Sequence, residues 1–148
     1  MFSHILVPVD GSAASDRAVA TAAATAKAFG AHVSVVCVVD PYPFSGVGAD
    51  MAFAQDDYLN AATAEARQAV NQARQHCEAA GVAVTTAVVE GQSVYAAILE
   101  AAEAAGPAGA NLIVMGSHGR KGLEKLILGS VTAQVLSQSH VPVMVVRA

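Results

Sequence analysis

The chain has 148 residues, of which 54% are hydrophobic and 14% charged, so it can bury a core and we expect one folded domain over residues 1–148. Its net charge of −4 and its scattered lysine and arginine residues offer no basic face to a phosphate backbone, which argues against a nucleic-acid partner. No apolar stretch reaches the roughly 18 to 20 residues of a membrane span, and the start has neither the basic region nor the cleavage site of a secretory signal, so we expect a cytoplasmic protein without a membrane span.

Short runs rich in valine and isoleucine alternate along the chain with longer segments that have helical spacing. Ser12 is the expected N-cap of the first helix, and Gly30 and Gly81 stand where helices should end. Strict alternation of strand and helix predicts a parallel sheet covered by helices on both faces, which is a doubly wound, three-layer α/β sandwich. The predicted strands are residues 4–9, 32–39, 82–89, 111–115 and 141–147.

Cysteine and histidine positions give no sign of a metal or redox site. Cys37 lies in an apolar strand and Cys77 in a helical stripe, without CxxC spacing, so we expect two reduced core thiols. Four of the histidines show no spacing that would gather a metal ion: His4, His32, His76 and His140.

Residues 40–57 form an irregular stretch that is longer than the connections such folds normally need. Pro41, Pro43, Gly46 and Gly48 interrupt any regular pattern there. Its place after a strand favours a lid over a ligand site, and a plain connector without a role is the equal alternative.

The last strand is apolar on both faces. Residues 141–146 read VPVMVV, although a terminal strand often lies at a sheet edge, where exposed backbone groups and apolar side chains seek a partner. Pairing with the same strand of a second copy would give a two-fold homodimer through residues 141–146. The alternative is a strand shielded by helices of its own chain.

Two segments combine strand ends with residues suited to a ligand. Ligands of open parallel sheets bind at the carboxyl ends of the strands. The first segment runs from Val7 through Pro8, Val9 and Asp10 into the first helix. The second contains two glycines with two residues between them, then nine residues before another glycine, which is followed by hydroxyl residues at 130 and 132. Glycines admit an anion to backbone amides, and a helix that begins there directs unpaired N–H groups at phosphate.

The spacing Gly116-x2-Gly119-x9-Gly129-Ser130 resembles the nucleotide motif of the ATP-binding branch of the universal stress protein family. VPVDGS at residues 7–12 is similar to the first strand of that family, and PVMVVR at residues 142–147 to its last. The resemblance implies a Rossmann-like, adenine nucleotide alpha hydrolase-like fold with strand order 3-2-1-4-5. It also implies dimerisation through the last strand and an ATP site between the first and fourth strands.

The same resemblance implies which residues hold the nucleotide. Adenine would lie against the backbone of Val38, with Pro8 and Val9 lining the pocket, and Asp10 would lie near the ribose or a bound Mg²⁺ or Mn²⁺. Met115 would also belong to the nucleotide site. The triphosphate would be surrounded by Gly116, Ser117, His118, Gly119, Arg120, Gly122, Gly129, Ser130, Val131 and Thr132.

Each of these residues has a simpler explanation that the sequence leaves open. Gly116 and Gly119 suit a tight turn after a strand, and Ser130 suits an ordinary helix cap. Asp10 is close enough to cap the first helix. A proton-transfer role for His118 is the weaker interpretation, and no catalytic residue is assigned.

Three functions fit the sequence. The first is an ATP-binding stress-response or regulatory dimer, with an unknown protein partner, in which occupancy shifts a population and hydrolysis is slow or absent. The second is a low-rate nucleotide hydrolase or phosphotransferase, against which the missing GxxxxGK[ST] loop argues. The third is an interaction scaffold that binds no nucleotide and has purely structural glycines.

Overall fold

A computed structural model of the chain describes residues 1–41, 52–118 and 128–147. The strands are β1 (His4–Pro8), β2 (His32–Val39), β3 (Val84–Glu90), β4 (Leu112–Gly116) and β5 (Val143–Val146). The helices are α1 (Ala13–Phe29), α2 (Ala52–Ala79), α3 (Val94–Ala104) and α4 (Ser130–Gln138).

All five strands are parallel and lie in the order β3-β2-β1-β4-β5, which confirms the predicted doubly wound sandwich and its strand order. Strand β1 lies in the centre of the sheet. The chain adds β2 and β3 on one side of it and then β4 and β5 on the other. The carboxyl ends of β1 and β4 therefore adjoin where the direction of the connections reverses, the usual ligand position in such sheets.

Alternating side chains of the strands form two cores, one on each face of the sheet. Ile5 and Val7 of β1 are buried against α1 and α2, whereas Leu6 and Ile113 are buried on the face that carries α3 and α4. The central strands are apolar on both faces because both faces are covered. As expected, Cys37 and Cys77 are buried, and burial, with a smaller contribution from Glu78, raises the pKa of the Cys77 thiol.

The ends of α1 follow the sequence signals. Ser12 is the N-cap, and its side chain accepts a hydrogen bond of 3.2 Å from the backbone N–H of Ser15. Gly30 ends the helix in the left-handed conformation, with φ of 65°, and its N–H donates to the carbonyl of Ala26. Both ends of the predicted helix are confirmed.

Part of the stretch predicted to be irregular is helical. Residues 52–57 belong to α2, which begins at Ala52 and continues to Ala79, so the irregular prediction for residues 40–57 is wrong at its carboxyl-terminal end. Residues 42–51 lie outside the described part of the chain, and the lid prediction that falls on them stays untested. Within the described residues, no helix combines the length and the apolar character that crossing a membrane requires.

The N-cap of α1 predicts a measurable stability difference. Replacing Ser12 by alanine removes the acceptor for the Ser15 amide, and we expect a loss of about 0.5–2 kcal/mol in the free energy of unfolding. Ser93→Ala is the matched control, because Ser93 is the N-cap of α3 but its side chain makes no capping hydrogen bond. Urea unfolding of both variants measures the difference, and equal losses in the two would contradict the capping role of Ser12.

Candidate functional site

A cavity of about 450 Å³ opens at the carboxyl ends of β1 and β4. It lies between these strand ends, the start of α4 and the first turns of α3. Its lining residues are Pro8, Val9, Asp10, Ser15, Val38, Val94, Ile98, Met115, Gly116, His118, Gly129, Ser130, Val131 and Thr132. Most of the residues singled out in the sequence therefore lie around one cavity, although they come from four separate parts of the chain.

One end of the cavity is apolar. Pro8 leaves β1 there, Val38 projects from β2, and Val94 and Ile98 come from consecutive turns of α3. Ile98 is almost fully buried and packs with Met115 and Val131 in the second core. This end is suited to a flat, largely apolar group such as a nucleobase.

The other end is built from the end of β4 and the start of α4. The backbone N–H of Gly129 donates to the carbonyl of Ser117 at 2.8 Å, and the hydroxyl of Thr132 donates to the carbonyl of Gly116 at 2.9 Å. Gly129 is the N-cap of α4, so its position carries no side chain that could accept from the first amides of the helix. The positive end of α4 thus adjoins the cavity.

Gly116 owes its identity to packing against α1. A Cβ atom at this position would lie 3.0 Å from the Cβ of Ala14 and 3.1 Å from its carbonyl carbon and oxygen. Such contacts are tighter than nearly all Cβ contacts in proteins, so a side chain here would require α1 to shift by a few tenths of an ångström. The close packing against α1 therefore favours a glycine, whatever the cavity binds.

Ser117 lies beside the cavity and does not line it. The residue is 1% exposed, its N–H donates to the carbonyl of Val146, and its hydroxyl lies 3.1 Å from Nδ1 of His118. The hydroxyl of Ser117 thus positions the ring of His118, and His118 does line the cavity. Among the residues that the structure describes, nothing hydrogen-bonds Nε2 of this ring, although the atom is buried. A buried polar atom without a partner is uncommon in native proteins and indicates a missing acceptor or donor.

Asp10 stands where β1 passes into α1. Its Oδ1 accepts a hydrogen bond of 2.9 Å from the N–H of Ser12, and its own N–H lies 3.4 Å from the hydroxyl of Ser15. Asp10 therefore forms a tight turn just before α1, and the N-cap of this helix is Ser12 instead of Asp10. Asp10 is also one of the residues that line the cavity. In the described ranges, no three histidine, cysteine, aspartate or glutamate side chains come together to hold a metal ion.

The residues predicted to form the site and the residues that line the cavity are not the same set. Gly119, Arg120 and Gly122 lie outside the described residues, so their predicted phosphate contacts stay predictions. Ser15, Val94 and Ile98 line the cavity and were missed. Ile98 belongs to one of the segments with helical spacing, and periodicity alone does not give the direction in which α3 crosses β1 and β2.

Comparisons with known proteins agree on one family. Residues 1–147 match the Universal stress protein family. Universal stress protein MJ0531 of Methanocaldococcus jannaschii is 35% identical over 147 residues, which cover 99% of this chain and 83% of the relative.

Solved structures give the same result. Universal stress protein UspA from Lactobacillus plantarum superposes with a TM-score of 0.85 and 27% identity, over 98% of this chain and 97% of that one. A universal stress protein in complex with cAMP superposes with a TM-score of 0.67 and 26% identity, over 99% of this chain and 97% of that one.

Proposed function

Because the chain belongs to the universal stress protein family, we propose that it is a single-domain cytoplasmic protein that binds ATP in the cavity between β1 and β4 and acts as a nucleotide-dependent regulatory dimer. The observation that carries the proposal is the pairing, in one cavity, of an apolar end with the uncapped start of a helix. A nucleotide has the same two-part chemistry. The complex of a family member with cAMP supports an adenine nucleotide as the ligand class.

The base would occupy the apolar end. Adenine there would lie between Pro8 and Val38 on the strand side and Val94 and Ile98 on α3. Burial of a planar ring against these side chains supplies a favourable term proportional to the apolar area removed from water. The backbone of Val38, one residue before the end of β2, would provide the hydrogen bonds that distinguish adenine from other bases.

The phosphates would lie at the start of α4. The amides of Ser130 and Val131 and the hydroxyl of Ser130 would face them, and the helix dipole favours negative charge at this position. The hydroxyl of Thr132 already donates to the carbonyl of Gly116, so Thr132 would hold the start of α4 in place beside the phosphates. Gly119, Arg120 and Gly122 would close the site from the other side. Nε2 of His118, buried and without a described partner, would find one in a phosphate oxygen.

A divalent ion fits the site only together with the nucleotide. Mg²⁺ is usually bound by one or two carboxylates and by substrate phosphates, and Asp10 supplies one carboxylate at the cavity wall. When bound, Mg²⁺ or Mn²⁺ would neutralise phosphate charge. Asp10 would orient it while keeping its turn with the Ser12 amide.

Occupancy fits this geometry better than turnover. His118 is held through Nδ1 by a neutral hydroxyl, that of Ser117, and a hydroxyl stabilises a protonated imidazole far less than a carboxylate does. A histidine held in this way is suited to contact the ligand. We therefore propose that ATP binding shifts the conformation or the partner preference of the protein, and that hydrolysis is slow or absent.

The proposed position of the phosphates predicts that the hydroxyl of Ser130 contributes to the affinity for ATP. Ser130→Ala removes a donor from the start of α4, and we expect ATP affinity to fall roughly tenfold, the equivalent of one hydrogen bond to a charged group. The control is Ser137→Ala near the end of the same helix, where the hydroxyl donates to the carbonyl of Gln134 and is remote from the cavity. Calorimetric titration with ATP measures both variants. Equal affinities for ATP in the two would place the phosphates elsewhere.

The dimer would form at β5. This strand is at the edge of the sheet, and all four of its residues, Val143–Val146, are only partly buried. The carbonyls of Pro142 and Val146 accept hydrogen bonds from β4, so by alternation the backbone groups of Val143 and Val145 point away from the sheet. Leu136 of α4, which packs on β5, adds a side chain that is 41% exposed. A second copy related by a two-fold axis would pair with these groups and cover these side chains.

A proline at the edge predicts loss of the dimer without loss of the fold. Val145→Pro removes an N–H that faces away from β4, so the bonds within the sheet remain. We expect a monomer in analytical ultracentrifugation, whereas Val145→Thr keeps the N–H and should remain a dimer. A dimeric proline variant, or a monomeric parent protein, would contradict the proposed interface.

A further inference from the structure

Two histidines meet at the amino ends of the strands, far from the cavity. His4 and His32 are the first residues of β1 and β2 and are partners in the strand register. Their ring centroids are 4.8 Å apart, with the ring planes 35° from parallel. Nothing in the sequence indicates this pairing, because 23 residues of helix and turn separate the two strands.

A chain of hydrogen bonds connects the two rings. Nε2 of His4 lies 2.6 Å from the hydroxyl of Ser34, which lies 3.1 Å from the hydroxyl of Thr85, which in turn lies 3.2 Å from Nε2 of His32. Three bonds need three protons. The two hydroxyls supply two, so one ring donates from Nε2 and the other accepts while both rings are neutral. We call these four residues the histidine clasp.

The surroundings of His4 favour the neutral ring. Gly106, with φ of 59°, passes so close that a Cβ there would lie 2.6 Å from Nδ1 of His4. Burial of the ring, and then the charge of His32, lower the pKa of His4 below its ordinary value of 6.5. The nearby helix α3 carries Glu100 and Glu103, and neither is among the causes of this shift or among the described hydrogen-bond partners of the ring.

The clasp is attached to the backbone bonds that hold the start of β1. Oδ1 of Asn111 accepts from the amides of Ser3 and His4, and the N–H of Asn111 donates to the carbonyl of His4. The N–H of His32 donates to the carbonyl of Ser3 at 3.0 Å. A displacement of His4 would therefore disturb the hydrogen bonds to β2 and to Asn111, which leads into β4.

We propose that the histidine clasp is an acid-sensitive device that holds the amino end of the sheet together while both rings are neutral and releases it when both are protonated. Two positive rings 4.8 Å apart repel each other, and the hydroxyls between them cannot neutralise that charge. The release would occur at the end of the sheet opposite the nucleotide cavity. Mild acid would thus loosen the start of β1 while leaving the cavity residues in place.

The sign of the pH dependence follows from the lowered pKa of His4. The unfolded chain, with a histidine pKa near 6.5, binds the proton more readily than the folded chain does. The stabilising contribution of His4 is therefore complete above about pH 6.5 and is lost as the pH falls through its folded pKa. Replacing His4 should flatten this part of the stability curve.

The experiment is an NMR titration of the histidine rings in the full chain between pH 8 and pH 4. We expect His4 to titrate below 6.5, and His32→Gln to raise its pKa towards that value without reaching it, because burial of the ring remains. His76→Gln is the control, because His76 is exposed on α2 and should leave the titration of His4 unchanged.

Amide hydrogen exchange measures directly whether the amino end of the sheet is released. Between pH 7.5 and pH 5, the protection factors of the amides of His32 and Asn111 should fall severalfold more in the parent protein than in His4→Gln. A His4 pKa of 6.5 or above, an unchanged His4 pKa in His32→Gln, or equal loss of protection in parent and His4→Gln would each overturn the proposal. If His4→Gln does not fold, the titration of His32→Gln decides alone.

Discussion

The candidate site depends on the joint between β4 and α4. Among the residues that the structure describes, two hydrogen bonds make it, from the Gly129 amide to the Ser117 carbonyl and from the Thr132 hydroxyl to the Gly116 carbonyl. They fix the first turn of α4 over the end of a buried strand, although 12 residues of sequence lie between Ser117 and Ser130. Together with the packing of Val131 and Val135 in the second core, they set the position of the positive end of the helix relative to β1.

The fold was predictable because its signals are local and repeated. Buried strands read as short valine-rich runs, Ser12 and Gly30 mark the ends of α1, and the alternation of elements permits few topologies. The start of α2 was the exception. Residues 52–57 follow a proline- and glycine-rich stretch. The residue directly before them in the sequence, Met51, is not one of the usual N-cap types, so the start of the helix was not marked there.

The site was predictable only where it follows the backbone. Glycines and hydroxyl residues at strand ends and helix starts can be recognised by their spacing in the sequence. The structure places Gly116, Gly129, Ser130 and Thr132 around one cavity. Val94 and Ile98 reach the cavity because α3 crosses the sheet at a particular angle, which is set by packing of whole elements. The same holds for His4 and His32, whose contact depends on strand register. Gly116 shows the converse, since the close approach of Ala14 already favours a glycine at this position of the motif.

Calorimetric titration of the parent protein with ATP, ADP and AMP in the presence of Mg²⁺ tests the central claim most directly. If the apolar end of the cavity holds adenine and the start of α4 holds the phosphates, ATP binds saturably with one molecule per chain, and affinity falls from ATP to AMP as contacts with α4 are lost. A folded protein that gives no binding heat at several temperatures with any of the three nucleotides would contradict the account. The cavity would then be a feature of the fold, and the function would have to be sought at the protein surface.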